Sequence, residues 1–354
     1  MSCLLLRGMA ATKISISTFL ELRKTVPVFD VRSPGEYQQA HIPGAHSFAL
    51  FTDEERKEIG TAYKQDSRQS AVEIGLGYFK EKMLPLIEKA KSLQGNADQK
   101  IIVHCWRGGM RSATVAWLLD LYGFEVFVLE GGYKTFRHWA LEQLEKKYDL
   151  FILGGYTGSG KSEILHEMHQ KNHTVIDLEG IAKHKGSAFG NLDDAPQPRQ
   201  EMFENLLADD LWNMYQNGET TIWVEDESRR IGALNIPATF YDCMRAAPIY
   251  FIDIPFEERL LHIVDEYGQY KKENLHDAIL RIQKRLGGLE TKTAIEFLEA
   301  GDLQNCFSIL LKYYDRSYLK NLPNRENFSE QLHTISSLKT DASLNAGLLE
   351  NAIK

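Results

Sequence analysis

At 354 residues the chain is long enough for two domains. A hydrophobic fraction of 43% and a charged fraction of 25% are ordinary for a soluble globular protein, and no apolar run approaches a membrane span or a signal-peptide core. The formal net charge of −8 argues against a nonspecific nucleic-acid coat, which needs a broad basic surface, but leaves room for a local basic patch on one structured RNA.

Four cysteines (Cys3, Cys105, Cys243, Cys306) show neither metal-ligand nor disulfide spacing, which fits a reducing, cytoplasmic compartment. Met9 is an alternative start, and residues 1–13 are expected to be an N-terminal extension. Ile14–Lys24 then reads as a short strand followed by a helix capped by Ser17. Val26–Val31 is a strand that runs into Asp30, Arg32 and Ser33. The pattern Asp30-x-Arg32-x-x-x-Glu36-Tyr37, followed by His41-Ile42-Pro43-Gly44-Ala45, resembles the N-terminal signature of rhodanese domains. Its expected job is structural: Asp30, Arg32 and Glu36 pair near the sheet edge, and Pro43-Gly44 turns the chain. Thr52–Lys64 and Ala71–Lys91 read as charged helices, the second interrupted by Gly75 and Gly77. Part of this excursion is expected to line the site.

Ile101–Val103 is a β-branched run that predicts a buried parallel strand. It leads into Cys105, Arg107, Gly108, Gly109 and Arg111, and then into a helix over Ala113–Leu121. The cysteine therefore falls in a tight loop between a strand end and a helix N-terminus. Backbone N–H groups of such a loop cradle an anion. With Arg107 and Arg111 near, the thiol pKa is expected to fall. A lone cysteine is more often a buried structural one, but two glycines and two arginines within six residues favour the reactive reading. The loop resembles those of rhodanese-type sulfurtransferases and dual-specificity phosphatases. Five residues, Trp106–Met110, separate Cys105 from Arg111. That is the phosphatase spacing, and it suits a tetrahedral oxyanion such as phosphate or selenophosphate without choosing between them.

Glu125–Leu129 is the next strand, closed by Gly131-Gly132-Tyr133 and a helix over Lys134–Lys147. These observations place a rhodanese-like domain at 14–137 and a linker helix at 138–148. Residues 149–354 form the second domain, α/β with a mainly helical C-terminal part. It opens with the strand Leu150–Leu153 and the sequence Gly155-Tyr156-Thr157-Gly158-Ser159-Gly160-Lys161-Ser162, a complete P-loop pattern with a helix after it. Gly155, Gly158 and Gly160 let N–H groups face a phosphate, Lys161 reaches its outer oxygens, and Ser162 can hold Mg²⁺. Two later strands end in acids, Thr174–Ile176 in Asp177 and Glu179 and Thr221–Val224 in Glu225, Asp226 and Glu227, and either group could supply a metal-facing carboxylate near the P-loop. Asp177, Glu225 and Asp226 are candidate metal-facing carboxylates, although solvated turn acids would look the same. Ile249–Ile254 is a further buried strand, so strands and helices alternate as in a parallel sheet. Lys183-His184-Lys185, Arg229-Arg230, and Arg281 with Lys284-Arg285 are basic groups, each more often a solvated face than a binding site. From Asn321 the chain turns polar, and its last twenty residues are expected to be only partly ordered.

The fold class predicted is therefore α/β: a rhodanese-like parallel-sheet domain followed by a P-loop NTPase-like α/β domain. This arrangement, and the stretches HCWRGGMRSATVAWLL, LEGGYKTFRHW, GGYTGSGKSE, DLEGIAKHKGSAFG and KRLGGL, resemble the tRNA 2-selenouridine synthases over nearly the whole chain. The resemblance implies a transferase that replaces the sulfur of wobble 2-thiouridine (position 34) of certain tRNAs with selenium from selenophosphate. It also implies an S-geranyl intermediate made from geranyl diphosphate, and Cys105 as the catalytic cysteine, bearing a selenium intermediate. Arg107, Gly108, Gly109 and Arg111 would bind the selenium donor, and the P-loop the diphosphate. No tightly bound cofactor is expected, Mg²⁺ at Ser162 being only a candidate, and no membrane partner. Two other classes fit the motifs: a cysteine-dependent phosphatase fused to a nucleotide-binding module, and a non-catalytic phosphate-sensing RNA-binding protein.

Overall fold

Residues 11–94, 99–187, 189–190, 196–216, 218, 221–321 and 328–353 are described by a computed structural model of the chain. It divides into two compact units, one running to Glu142 and including Glu204–Leu206, the other comprising Gln143–Phe203 and the chain from Leu207 onward. No helix among the described residues is long and apolar enough to cross a membrane.

The first unit runs β1 (Thr12–Ile14), α1 (Ile16–Leu22), β2 (Val28–Asp30), α2 (Pro34–Gln39), β3 (His46–Ser47), α3 (Asp53–Gln65), α4 (Arg68–Gln94), β4 (Lys100–His104), α5 (Met110–Tyr122), β5 (Glu125–Leu129) and α6 (Gly132–Leu144). Its five strands lie in the order β1-β5-β4-β2-β3, all parallel. The β-branched run of β4 explains its central place. Ile101, Ile102 and Val103 are fully buried, and Ile101 and Val103 belong to one core with Phe29, Phe48, Val115 and Leu119. Each such side chain contributes about 1.5–3 kcal/mol of burial. Ser15, rather than Ser17, caps α1, its hydroxyl accepting the Thr18 N–H at 3.3 Å. Gly75 and Gly77 do not interrupt α4 either; the helix runs through both and through Pro85. A glycine costs only about 1 kcal/mol against alanine in a helix, and the buried stripe Ala71, Phe79, Leu86 and Ala90 offsets it.

The boundary between the units falls within α6, inside the segment read as a linker helix. The second unit continues with β6 (Leu150–Gly155), α7 (Lys161–Gln170), β7 (Val175–Ile176), α8 (Leu178–Ala182), α9 (Gln200–Gln216), β8 (Ile222–Glu225), β9 (Arg230–Ile231), β10 (Leu234–Asn235), α10 (Ala238–Ala246), β11 (Ile249–Asp253), α11 (Phe256–Tyr267), α12 (Lys272–Leu286), α13 (Gly288–Ala300), α14 (Leu303–Asn321), α15 (Phe328–Gln331), β12 (Leu332–Ser336) and α16 (Ala342–Ala352). Its main sheet, β12-β11-β6-β8-β7, is parallel throughout and places the P-loop strand at the centre. Helices α11 to α14 bury Leu275, Ile279, Leu298, Phe307 and Leu311 in a core of their own. The polar C-terminal stretch is structural, contrary to the sequence reading. β12 adds an edge strand to β11 over five residue pairs, and α16 buries Ala346 and Leu349 in the core that holds Ile164 and Met168 of α7.

Candidate active sites

Cys105 follows the end of β4, with α5 starting five residues later. Its sulfur accepts the Gly109 N–H at 3.3 Å and lies 3.3 Å from the Ser112 hydroxyl, and the side chain is buried. Burial pushes the thiol pKa up, but the Ser112 hydroxyl and the backbone N–H groups of Ser112, Arg107 and Gly109 outweigh it, and the net shift is downward. Hydrogen bonds, rather than the arginine charges expected from the sequence, thus favour the thiolate. The first turn of α6 completes the loop: Tyr133 N–H donates to the Cys105 carbonyl at 2.8 Å and Lys134 N–H to that of Trp106 at 3.0 Å. Gly132 permits this approach, since at φ +60° a Cβ there would lie 2.2 Å from the Cys105 carbonyl oxygen.

Arg111 is not free to act on the thiol. Its guanidinium lies 2.7 Å from Glu36, whose carboxylate also meets Arg56 at 3.0 Å and accepts the Ser33 N–H at 3.0 Å. Burial would raise the Glu36 pKa, but Arg111, Ser33 and Arg56 together lower it. The expected trio at the sheet edge is therefore a pair. Arg32 binds Asp30 at 2.6 Å, both fully buried, while Glu36 turns to Arg111. The Arg32 guanidinium also stacks 3.9 Å from the Tyr133 ring centroid. Arg107 is exposed, Gly108 half-buried and Gly109 exposed.

In the second unit, Gly155 ends β6 and Gly160 caps α7 in the left-handed conformation at φ +70°. Gly158 has φ +80°, and a Cβ there would lie 2.7 Å from Ile263 and 2.9 Å from the Arg259 carbonyl oxygen. Arg259 braces the loop. It is buried, donates to the Thr157 carbonyl at 3.0 Å and to the Ile254 carbonyl at 3.0 Å, and holds Asp315 through two bonds of 2.9 and 2.8 Å.

Lys161 Nζ lies 3.4 Å from Glu225, and the Ser162 hydroxyl donates to Glu225 at 3.0 Å and Glu179 at 3.3 Å. Oxygens of Glu179, Glu225 and Glu227 lie within 4.8 Å of one another. Burial and the Glu225 charge push the Glu179 carboxyl up to about 8, against the pull of Lys161. Burial, Glu225 and Glu179 push Glu227 well above the usual range. For Lys161 burial opposes the charge, yet the three glutamates raise its pKa. Of the strand-end acids named from the sequence, Glu179, Glu225 and Glu227 form this cluster, whereas Asp177 and Asp226 do not join it. Asp177 caps α8 by accepting the Gly180 N–H at 2.8 Å, and Asp226 accepts the Tyr318 hydroxyl at 2.7 Å. β8 ends at Glu225, and Glu227, two residues beyond it, shares the cluster while Asp226 does not. Arg259, which no sequence pattern singled out, comes from tertiary packing alone.

A cysteine loop on one parallel sheet and a P-loop on another define a rhodanese-like unit joined to a P-loop α/β unit. Residues 15–138 match the rhodanese-like domain, and residues 148–339 match the tRNA 2-selenouridine synthase AAA domain. The chain belongs to the tRNA 2-selenouridine synthase family. It is 38% identical over 285 residues to the tRNA 2-selenouridine synthase of Hydrogenovibrio crunogenus, an alignment covering 75% of this chain and 77% of the relative. It is 35% identical over 292 residues to that of Sulfurovum sp., covering 77% and 79%. It is 33% identical over 351 residues to that of Bdellovibrio bacteriovorus, covering 86% and 90%.

Proposed function

We propose that this protein is a cytoplasmic transferase that converts wobble 2-thiouridine of certain tRNAs to 2-selenouridine, in two steps assigned to its two anion cradles. The observation that carries the reading is the coexistence, in one chain of this family, of a thiolate-stabilising loop and a P-loop whose lysine lies 3.4 Å from Glu225. The first step alkylates the thiocarbonyl sulfur. That sulfur attacks C1 of geranyl diphosphate, the carbon–oxygen bond breaks, and pyrophosphate departs. The N–H groups of Gly158 and Gly160 and the ammonium of Lys161 are suited to take up the growing charge on pyrophosphate. Nothing in such a cradle inspects a base, so an allylic diphosphate serves as well as a nucleotide.

The oxygen donors Ser162, Glu179, Glu225 and Glu227 fit a hard divalent cation such as Mg²⁺. When bound, Mg²⁺ would supply further positive charge to the diphosphate. Burial and mutual repulsion raise the carboxyl pKa values of Glu179, Glu225 and Glu227, and a divalent cation held there would offset that repulsion.

In the second step Cys105 opens selenophosphate. Selenium is at the selenide level in both the donor and the product, so attack at phosphorus keeps the electron count. The phosphorus–selenium bond breaks with its electron pair on selenium, the cysteine carries the phosphoryl group until water removes it, and the selenide adds at C2 of the base. Geranylthiol leaves. A selenium atom left on the cysteine sulfur, as the family resemblance suggested, would require an oxidant. Arg111 and the amides of Arg107, Gly108 and Gly109 bind the oxyanion. The tRNA itself meets basic groups, of which Arg281, Lys284 and Arg285 share an exposed side of α12. Nucleoside mass spectrometry of tRNA from cells with and without the gene tests the reading. 2-Selenouridine should vanish on deletion and return with the gene. Unchanged selenouridine, or phosphate release from aryl phosphates as the main activity, would overturn it.

A further inference from the structure

The Cys105 unit contains a cavity of about 610 Å³, inside the range of roughly 300–1,000 Å³ typical of small-molecule sites. It lies between α3 and α4 and is walled by Leu50, Phe51, Ile59, Val72, Leu76 and Phe79. These side chains offer no hydrogen bonds. Large hydrophobic groups also stand open to solvent at its edge, with Tyr63 58% exposed, Leu76 57% and Met110 55%. Contiguous apolar surface of this kind is costly to leave in water and marks a binding site.

Two features say what fills it. The rim is basic: Lys57 and Lys64 are exposed there, and Arg56 and Arg111 share the single carboxylate of Glu36. One wall is the start of α5, through Met110, Arg111 and Thr114, and the N–H of the preceding Gly109 is the one that binds the Cys105 sulfur at 3.3 Å. An apolar hollow with a cationic rim, adjoining a thiolate cradle, fits a hydrocarbon chain attached to a polyanion. A nucleotide alone would leave its polar groups unpaired against these walls. We infer that this cavity receives the geranyl chain of S-geranyl-2-thiouridine in tRNA during selenium transfer. The inference rests on the proposed two-step reading and gives the prenyl group a second purpose. Besides turning sulfur into a better leaving group, the chain anchors the base with its C2–S bond beside the cysteine loop. Unalkylated 2-thiouridine has no such anchor.

Two measurements on the full chain test this. The first compares kcat/KM for selenation of an anticodon stem-loop carrying S-geranyl- or S-methyl-2-thiouridine, in the wild type and in Val72→Asp and Leu76→Asp. Both residues are partly exposed wall positions, so the variants should fold, and circular dichroism checks that. The geranyl-over-methyl ratio should fall at least tenfold in each. The second uses the same stem-loop with a diazirine on the geranyl chain, and crosslinks should map to α3 and α4 between Arg56 and Phe79. An unchanged ratio together with crosslinks outside this segment would overturn the inference while leaving the two-step reading intact. Crosslinks in the segment, with no selenation of the S-geranyl stem-loop by the wild type, would support the cavity as a prenyl site and overturn the two-step reading instead.

Discussion

The guanidinium of Arg111 lies 2.7 Å from the carboxylate of Glu36, so the arginine of the cysteine loop carries its own counter-ion. Its charge is largely spent before it reaches the sulfur. The Ser112 hydroxyl and the loop amides are what lower the Cys105 pKa. Alkylation of Cys105 by iodoacetamide, followed against pH, should therefore shift upward in Ser112→Ala and much less in Arg111→Ala. Arg111→Ala should instead raise the KM for selenophosphate about tenfold or more, the loss of a charge-assisted contact of about 1.5–3 kcal/mol. The reverse ranking of the two alkylation profiles would show that charge, and not hydrogen bonding, controls the thiol.

The Arg259–Asp315 pair should matter for the P-loop without touching a ligand. Arg259→Ala leaves the Asp315 carboxylate without its partner and frees the Thr157 carbonyl. Removing one member of a buried pair costs about 3–5 kcal/mol, here towards the lower end because Asp315 is 20% exposed. Urea denaturation should show that loss, and the double variant Arg259→Ala/Asp315→Ala should recover part of it. No recovery would mean that the bond to Thr157, rather than the ion pair, carries the effect.

Glu179 gives a pH signature. Its folded pKa, near 8, lies above the ordinary value of 4.5. The folded state therefore holds a proton that the unfolded chain has released, and stability falls as pH rises from about 4.5 to about 8. Glu179→Gln removes one of the clustered charges, so it should flatten this slope and stabilise the protein above neutral pH. Adding Mg²⁺ to the wild type at pH 7 should release protons, detectable with a weakly buffered indicator dye, and less so in the variant. A Glu179→Gln protein with an unchanged pH–stability curve would remove this carboxyl from the account.

The parts legible in the sequence were those written locally. The run Ile101–Val103 ahead of Cys105, and Leu150–Leu153 ahead of Gly155–Ser162, announce strand, loop and helix by residue type alone. β12 was hidden because an edge strand needs little apolar alternation: His333, Thr334 and Ser336 are exposed. Ser17 was a plausible cap by type, but only backbone geometry singles out Ser15. The partners of Glu36, Arg259 and Glu179 lie 75, 56 and 17 residues away, and no local pattern encodes such pairs. The P-loop acid was legible at Glu225 because it ends a strand beside β6. Glu179 and Glu227 were legible in the same way, as acids just past strand ends, but which of these acids gather beside Lys161 is set by tertiary packing.

The division of labour between the two cradles is tested most directly by nucleoside mass spectrometry of tRNA from cells expressing Cys105→Ala or Lys161→Ala as the sole copy. Cys105→Ala should accumulate S-geranyl-2-thiouridine and make no 2-selenouridine. Lys161→Ala should retain 2-thiouridine and make neither product, yet its purified protein should still selenate a stem-loop that already bears the S-geranyl group. Selenouridine in the Cys105→Ala strain, or normal geranylation by Lys161→Ala, would contradict the account.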